Sequence, residues 1–243
     1  MNVRLDLQFD GTDYHGWQVQ PDCLTVQGLM QNAIYKATGE DIKPQGSSRT
    51  DAGVHATGFV CNFKTSSSIP CERLPFALNT YLPSDIRCIG AEIVPEDFNA
   101  SRSALAKTYR YTIDNSLFGD VLRNRYSWHY KYKLDIDKMK EASKHFIGTY
   151  DFVGFASSGY SVETTVRTIY ELNTEKNDNI ITIDVKGNGF LYNMVRIITG
   201  TLVYVGGGKI APDYIPHIIN YKDRTKAGIT APAKGLCLKE VFY

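Results

Sequence analysis

Val3, Leu5, Leu7 and Phe9 alternate with Arg4, Asp6 and Gln8, the period-two pattern of a strand with one buried face. Residues 10–17 break this pattern with an irregular run rich in hydrogen-bonding groups. Thr25 then stands at an N-cap position before Val26, Leu29, Met30, Ala33, Ile34 and Ala37, an apolar helical face closed by Gly39. Phe59, Cys61 and Phe63 mark a second strand. Leu74, Ala77, Leu78 and Tyr81 predict a helix ending before Pro83, and residues 87–94 a third strand.

The order then begins again. Residues 108–114 alternate, with Tyr109, Tyr111 and Ile113 on one face. Ile136, Met139, Ser143 and Phe146 form a helical stripe behind an N-cap at Asp135. Residues 166–173 and 180–186 read as a hairpin around Asn177, Asp178 and Asn179. A long apolar helix is predicted at 190–205 and a last strand at 236–243. Two such rounds predict an α+β protein of two lobes, residues 1–105 and 106–243. Ferredoxin-like (RRM-like) lobes with antiparallel sheets, joined around a central cleft, are the expected architecture. A doubly wound parallel sheet is the alternative, and the missing glycine fingerprint after the first strand counts against it.

Composition changes this picture in one place. The 243 residues carry 27 Lys+Arg against 26 Asp+Glu, a net charge of +1, which excludes a polycation or an acidic tail protein. A balanced total can still hide a basic patch. Residues 102–133 contain Arg102, Lys107, Arg110, Arg123, Arg125, Lys131 and Lys133, opposed only by Asp114 and Asp120. Tyr109, Tyr111, Phe118, Tyr126, Trp128, Tyr130 and Tyr132 are interleaved with them. Cations for phosphates and rings for bases make an RNA-binding surface; the same composition also suits a solvated strand whose aromatics face a core.

The five cysteines are odd in number and lack zinc or disulfide-framework spacing, which predicts a reduced, cytoplasmic setting. No run approaches the roughly 18 apolar residues of a membrane span, and residues 1–10 lack a signal-peptide core. His15, His55, His129, His145 and His217 show no i, i+4 pairing, so no metal site is expected.

Three constellations carry candidate chemistry. Gly206, Gly207, Gly208 and Lys209 follow a helix and lack phosphate-loop spacing, so they read as a helix C-cap. Residues 48–55 set the acid Asp51 near the base His55, with Gly53 permitting a tight turn before an apolar strand. The structural alternative is an Asx-turn in which the Asp51 side chain accepts from the Gly53 N–H. In the 190–205 helix, Asn193, Arg196 and Gly200 fall on one line. A guanidinium in so apolar a helix calls for an anionic partner, for which Asp51 is a reasonable choice, either in a structural ion pair or in a site. Gly200 would admit a backbone or a ligand.

These residues make the chain recognisable. FDGTDYHGWQ at 9–18, TVQ at 25–27, RTDAGVHA at 49–56, KTYRY at 107–111, NGFLYNMVR at 188–196 and APAKGLCL at 231–238 resemble, in order, the blocks of the tRNA pseudouridine synthase A family. The resemblance implies an enzyme that converts uridine to pseudouridine in the anticodon stem-loop of tRNA, acting as a homodimer without cofactor. It implies two ferredoxin-like lobes. Asp51 matches the family's catalytic aspartate, Tyr109 the tyrosine packing on the target base, and Arg49 the arginine implicated in flipping it. Arg196 matches the basic partner of the aspartate, and Leu236 an apolar residue of the active-site wall.

Arg102, Lys107 and Arg110 are the expected tRNA contacts. The family commonly has a basic residue directly after the triplet matched here by Phe98, Asn99 and Ala100, whereas this chain has Ser101 and then Arg102. The loop 157–165, a further family contact region, carries little positive charge. A non-catalytic RNA-binding protein of doubled RRM-like lobes is the alternative; a buried carboxylate is not something binding alone requires.

Overall fold

Strand β1 (Asn2–Phe9) buries Val3, Leu5 and Leu7 completely, as its alternation requires. The computed structural model describes residues 1–159 and 163–243. These form two compact units, Met1–Leu105 with Cys237–Tyr243, and Ala106–Leu236.

In the first unit, helix α1 (Val26–Thr38) starts where Thr25 accepts a hydrogen bond from the Gly28 N–H and stops at Gly39, whose φ of 78° is left-handed. Of the sequence stripe, Val26, Met30, Ala33 and Ile34 are buried while Leu29 and Ala37 are half-buried, and Gln27 is buried as well. A two-residue strand β2 (Gln45–Gly46) precedes β3 (His55–Lys64), a short helix α2 (Leu74–Asn79) and β4 (Ile86–Val94). β1 lies antiparallel between β4 and β3, with Leu5 opposite Cys61 on one side and Ala91 on the other. Phe59, Cys61, Phe63, Leu74 and Leu78 complete the core, each buried large side chain contributing about 1.5–3 kcal/mol. Asn62 is also buried, and its amide is satisfied by Asn2, the Phe98 carbonyl and the Ala100 N–H. That network holds the 98–100 triplet against the sheet.

The second unit opens with β5 (Ala106–Asp114), followed by β6 (Trp128–His129), α3 (Ile136–Lys144), β7 (Gly148–Asp151), β8 (Val166–Asn177) and β9 (Ile180–Gly187). The order β5-β9-β8-β7 is antiparallel throughout, and β8 and β9 form the expected hairpin. Asp135 caps α3 by accepting from the Lys138 N–H. Helix α4 (Met194–Gly206) is buried around most of its circumference. It begins four residues later than the hydropathy predicts, because Asn193 takes a left-handed φ of 62° and turns the chain before the helix starts. Apolar periodicity cannot register such a backbone reversal. The glycines at its end do cap it: the Gly207 N–H bonds the Val203 carbonyl and the Lys209 N–H bonds the Tyr204 carbonyl. Helix α5 (Ile215–Tyr221) and β7 were not legible in the sequence, being short and, for α5, opened by Pro216.

The last strand, β10 (Leu236–Phe242), pairs parallel with β3, Cys237 opposite His55 and Leu238 opposite Ala56. Residues 237–243 therefore group with the first unit, whereas the two-lobe expectation placed them in 106–243. The expectation of antiparallel sheets also fails here and at β5–β6, where Ile113 pairs parallel with Trp128. Parallel strands need a long crossover rather than a hairpin, and most of the second unit intervenes between β3 and β10. The fold is α+β, and no helix among the described residues is long and apolar enough to cross a membrane.

Candidate active site

The turn carrying Asp51 is held by backbone. Gly53, at φ +78°, donates its N–H to the Tyr14 carbonyl at 3.1 Å, and the Val54 N–H donates to the Asp51 carbonyl at 3.2 Å. The Gly53 N–H, the donor that an Asx-turn at Asp51 would use, is thus bonded to Tyr14. The run 10–17 lies directly against this turn. A Cβ on Gly11 would stand 2.0 Å from the Val54 carbonyl oxygen, and one on Gly16 2.0 Å from that of Thr50. Gly16 is in addition left-handed, φ +77°, so glycine alone fits there.

Side chains brace the same region. His55 is buried; its Nδ1 accepts from the Gly11 N–H at 3.0 Å and lies 3.1 Å from Asp10 Oδ1. The Tyr14 hydroxyl donates to Asp85 at 2.7 Å, and burial followed by that bond pushes the phenol well above its usual range. Trp17 packs on Phe59 at 4.3 Å between ring centroids. Along 49–51 the chain passes from exposed Arg49 through buried Thr50 to half-buried Asp51. A carboxylate on so constrained a backbone is pre-positioned, which is what a reacting group requires.

The second unit holds the other expected residues. Tyr109, on β5, is only 7% exposed and meets Phe190 edge-on at 5.3 Å. Lys107, two residues earlier on the same face, is half-buried; burial, then the nearby Arg167, pushes its ammonium down to about 8. Arg110 points to the opposite face and is clamped by Asp184 through two bonds of 2.7 and 2.6 Å, so its charge is already engaged within the sheet. Arg196 donates from Nε to the Ala231 carbonyl and from a terminal nitrogen to Asn193 Oδ1, both at 2.7 Å.

Arg196 and Leu236 are brought together by one segment. The Ala231 N–H returns a bond to the Arg196 carbonyl, and the Tyr111 hydroxyl donates to the Pro232 carbonyl. Gly235 sits on the Tyr111 ring, and Leu236 follows, buried. Gly200 serves the same segment: its missing Cβ would lie 1.8 Å from the Ile229 carbonyl oxygen, so the close neighbour is backbone. Arg102, in the first unit, is exposed beside a depression of about 360 Å³ that Lys43, Lys64 and Asn99 also line. Of the loop 157–165, residues 160–162 lie outside the described residues; Ser157 accepts from Asn193 at 2.9 Å.

Tyr14, Asp85, Phe190 and Arg167 were not foreseen as part of this framework. Tyr14 and Asp85 are too far apart in the chain for any single-sequence signal to join them. Hydropathy places Phe190 in the first turn of a helix, which hides its contact with Tyr109. Among the described residues no group of three His, Cys, Asp or Glu side chains could hold a metal ion.

The family model and the full-length relatives agree with one another. A family model described as tRNA pseudouridine synthase matches residues 7–101 and 142–243, leaving out the stretch with β5 and Tyr109. Full-length relatives cover that stretch as well. "tRNA pseudouridine synthase A" of Thermoanaerobacter sp. (strain X514) is 51% identical over 242 residues, 100% of this chain and 99% of the relative. The protein of the same name from Acetivibrio thermocellus is 50% identical over the same coverage. Among solved structures, a chain of a Cbf5-Nop10-Gar1 complex covers 98% of this chain and 58% of its own with a TM-score of 0.40 at 11% identity, too distant to bear on the site. With the family blocks in order along the sequence, and relatives half identical from end to end, the chain belongs to the tRNA pseudouridine synthase family.

Proposed function

We propose that this protein isomerises uridine to pseudouridine in the anticodon stem-loop of tRNA, with Asp51 as the reacting carboxylate. The observation that carries this reading is the closure of the 49–55 turn by backbone hydrogen bonds and its tight seat against the 10–17 loop, which fix the point from which the Asp51 side chain leaves the chain. The reaction breaks the N1–C1′ glycosidic bond, turns the base, and joins C5 to C1′, with a proton leaving C5 and one gained at N1. It involves no net redox change and no second substrate. One carboxylate can act on it as nucleophile or base, and Arg196 is assigned the work of keeping that carboxylate ionised.

Tyr109 is assigned to the face of the target base, Leu236 to the apolar wall, and Arg49 to the space the uridine vacates when it leaves its stack. Arg102 and Lys107 are assigned to tRNA phosphates; Arg110, held by Asp184, contributes only if that pair opens. Both units are read as ferredoxin-like lobes, supported by the order β4-β1-β3 with two helices in the first and β5-β9-β8 with α3 and α4 in the second. At a net charge of +1 a single copy exerts little long-range pull on tRNA, which favours a homodimer that combines two basic segments.

Asp51→Ala tests the reading. Turnover should vanish while tRNA affinity stays within about tenfold, 1.4 kcal/mol, because phosphate contacts dominate binding. Residual turnover above a few per cent would remove Asp51 from its role, and a parent protein that binds tRNA without modifying it would leave a binding protein.

A further inference from the structure

We propose that Lys107 and Arg167 together hold a backbone phosphate of the substrate RNA, next to the uridine that packs on Tyr109. This site rests on the reading of Tyr109 given above and adds a subsite to it. Lys107 precedes Tyr109 by two positions on a regular strand, so both side chains leave the same face about 6.6 Å apart. That is the scale of a single nucleotide. Arg167 belongs to the start of β8, which β9 separates from β5: Gly187 pairs with Lys107 on one side and Ile169 on the other.

The connection between the two cations is built tightly. Gly187 could not carry a side chain, since a Cβ would stand 2.7 Å from the Thr168 carbonyl oxygen and 3.2 Å from the Phe190 ring. Asn188 bonds Thr168 twice, N–H to carbonyl at 3.0 Å and Oδ1 from the Thr168 N–H at 2.9 Å. Gly189 leaves room for the Arg167 side chain, whose Nε is 3.6 Å from the position of a Cβ. Phe190 then packs on Tyr109. The arginine and the base-packing ring are thus held by one short, rigid segment.

The electrostatics ask for an anion. Arg167 donates to the carbonyls of Thr164 and Val166, at 2.8 and 2.6 Å, and among the described residues it has no carboxylate partner. It is partly desolvated, and it is near enough to Lys107 to add to the depression that burial, the larger cause, produces there. Arg167, partly desolvated and satisfied only by carbonyls, presents its charge to an anion, and a phosphodiester that reached Lys107 as well would turn the repulsion between the two cations into attraction. A guanidinium presents a fork to two phosphate oxygens and an ammonium a point charge, so the pair suits one phosphate.

The test uses a stem-loop RNA containing the target uridine, in which one flanking linkage at a time is a neutral methylphosphonate. With the parent protein, one of the two neutral linkages should lower kcat/KM about tenfold. Lys107→Gln and Arg167→Gln should each lose about tenfold on the native RNA and lower the log–log salt slope of binding by about one. Neither should lose much more on the neutral linkage, and Lys107→Arg should recover most of the loss. Equal, additive losses on the neutral linkage in parent and variants would overturn the site while leaving the proposed reaction intact. Indifference of the parent to both neutral linkages would overturn it without any variant having to fold. A parent inactive on the native stem-loop would remove the reading of Tyr109, and the site with it.

Discussion

Gly16 faces the Thr50 carbonyl so closely that a Cβ would lie 2.0 Å from the oxygen, one residue before Asp51. The first loop of the chain is therefore a template for the turn that carries the carboxylate, although more than thirty residues separate them. In Gly16→Ala a left-handed backbone and a clash with backbone act together, and neither partner is a flexible side chain. Stability should fall by about 3 kcal/mol or more, and Tm by roughly 6–12 °C. At a temperature where the variant remains folded, kcat should fall further than tRNA affinity. A folded Gly16→Ala with parental kcat would show that the turn does not need this support.

Gly200 and Gly39 make a controlled pair. Gly39 is left-handed, φ +78°, with nothing within 4 Å of a Cβ, so Gly39→Ala should cost only the backbone strain, about 1–2 kcal/mol. Gly200 is an ordinary helical residue, but its Cβ would meet the Ile229 carbonyl oxygen at 1.8 Å. Gly200→Ala should cost about 3 kcal/mol or more and raise KM, because the displaced segment continues to Leu236. Chemical denaturation of both variants, with KM measured for each, checks the ranking; equal costs would refute it.

Lys107 should make stability depend on pH in a defined direction. Its ammonium titrates at about 8 in the folded protein against 10.5 ordinarily. Between those values the unfolded chain binds more protons, so the parent gains stability as pH rises from about 8 to 10.5. Below pH 8 the penalty is present in full. Lys107→Met should therefore be more stable than the parent at pH 7, by on the order of 1–3 kcal/mol, with the gap closing as pH rises through that window. Urea unfolding at pH 7, 8.5 and 10 measures it, and a gap independent of pH would be the contrary result.

Arg49 is exposed, beside buried Thr50, and is assigned to occupy the place of the flipped uridine. Unstacking a base costs a few kcal/mol, and an already unpaired uridine avoids most of that. Arg49→Ala should slow single-turnover modification of a structured tRNA up to roughly a hundredfold more than that of an RNA with its target uridine unpaired. Equal slowing of both substrates would assign Arg49 to something other than flipping.

What could be read from the sequence was local. The alternation of β1, the Thr25 and Asp135 caps, the hairpin of β8 and β9 and the glycine end of α4 all follow from neighbours within a few residues. The family's blocks were equally legible, because they are contiguous strings. The tertiary structure alone decided that the Gly53 N–H goes to Tyr14, that Asp85 receives the Tyr14 hydroxyl, that Ile229 closes on Gly200, and that Arg167 stands near Lys107. It also decided that α4 starts at Met194, freeing Phe190 to meet Tyr109, and that residues 237–243 rejoin the first unit. The reason is physical. Periodicity and capping act through one turn or one pleat of chain, whereas these contacts join segments tens of residues apart, and a single sequence carries no mark of which distant backbone a glycine was left bare to receive.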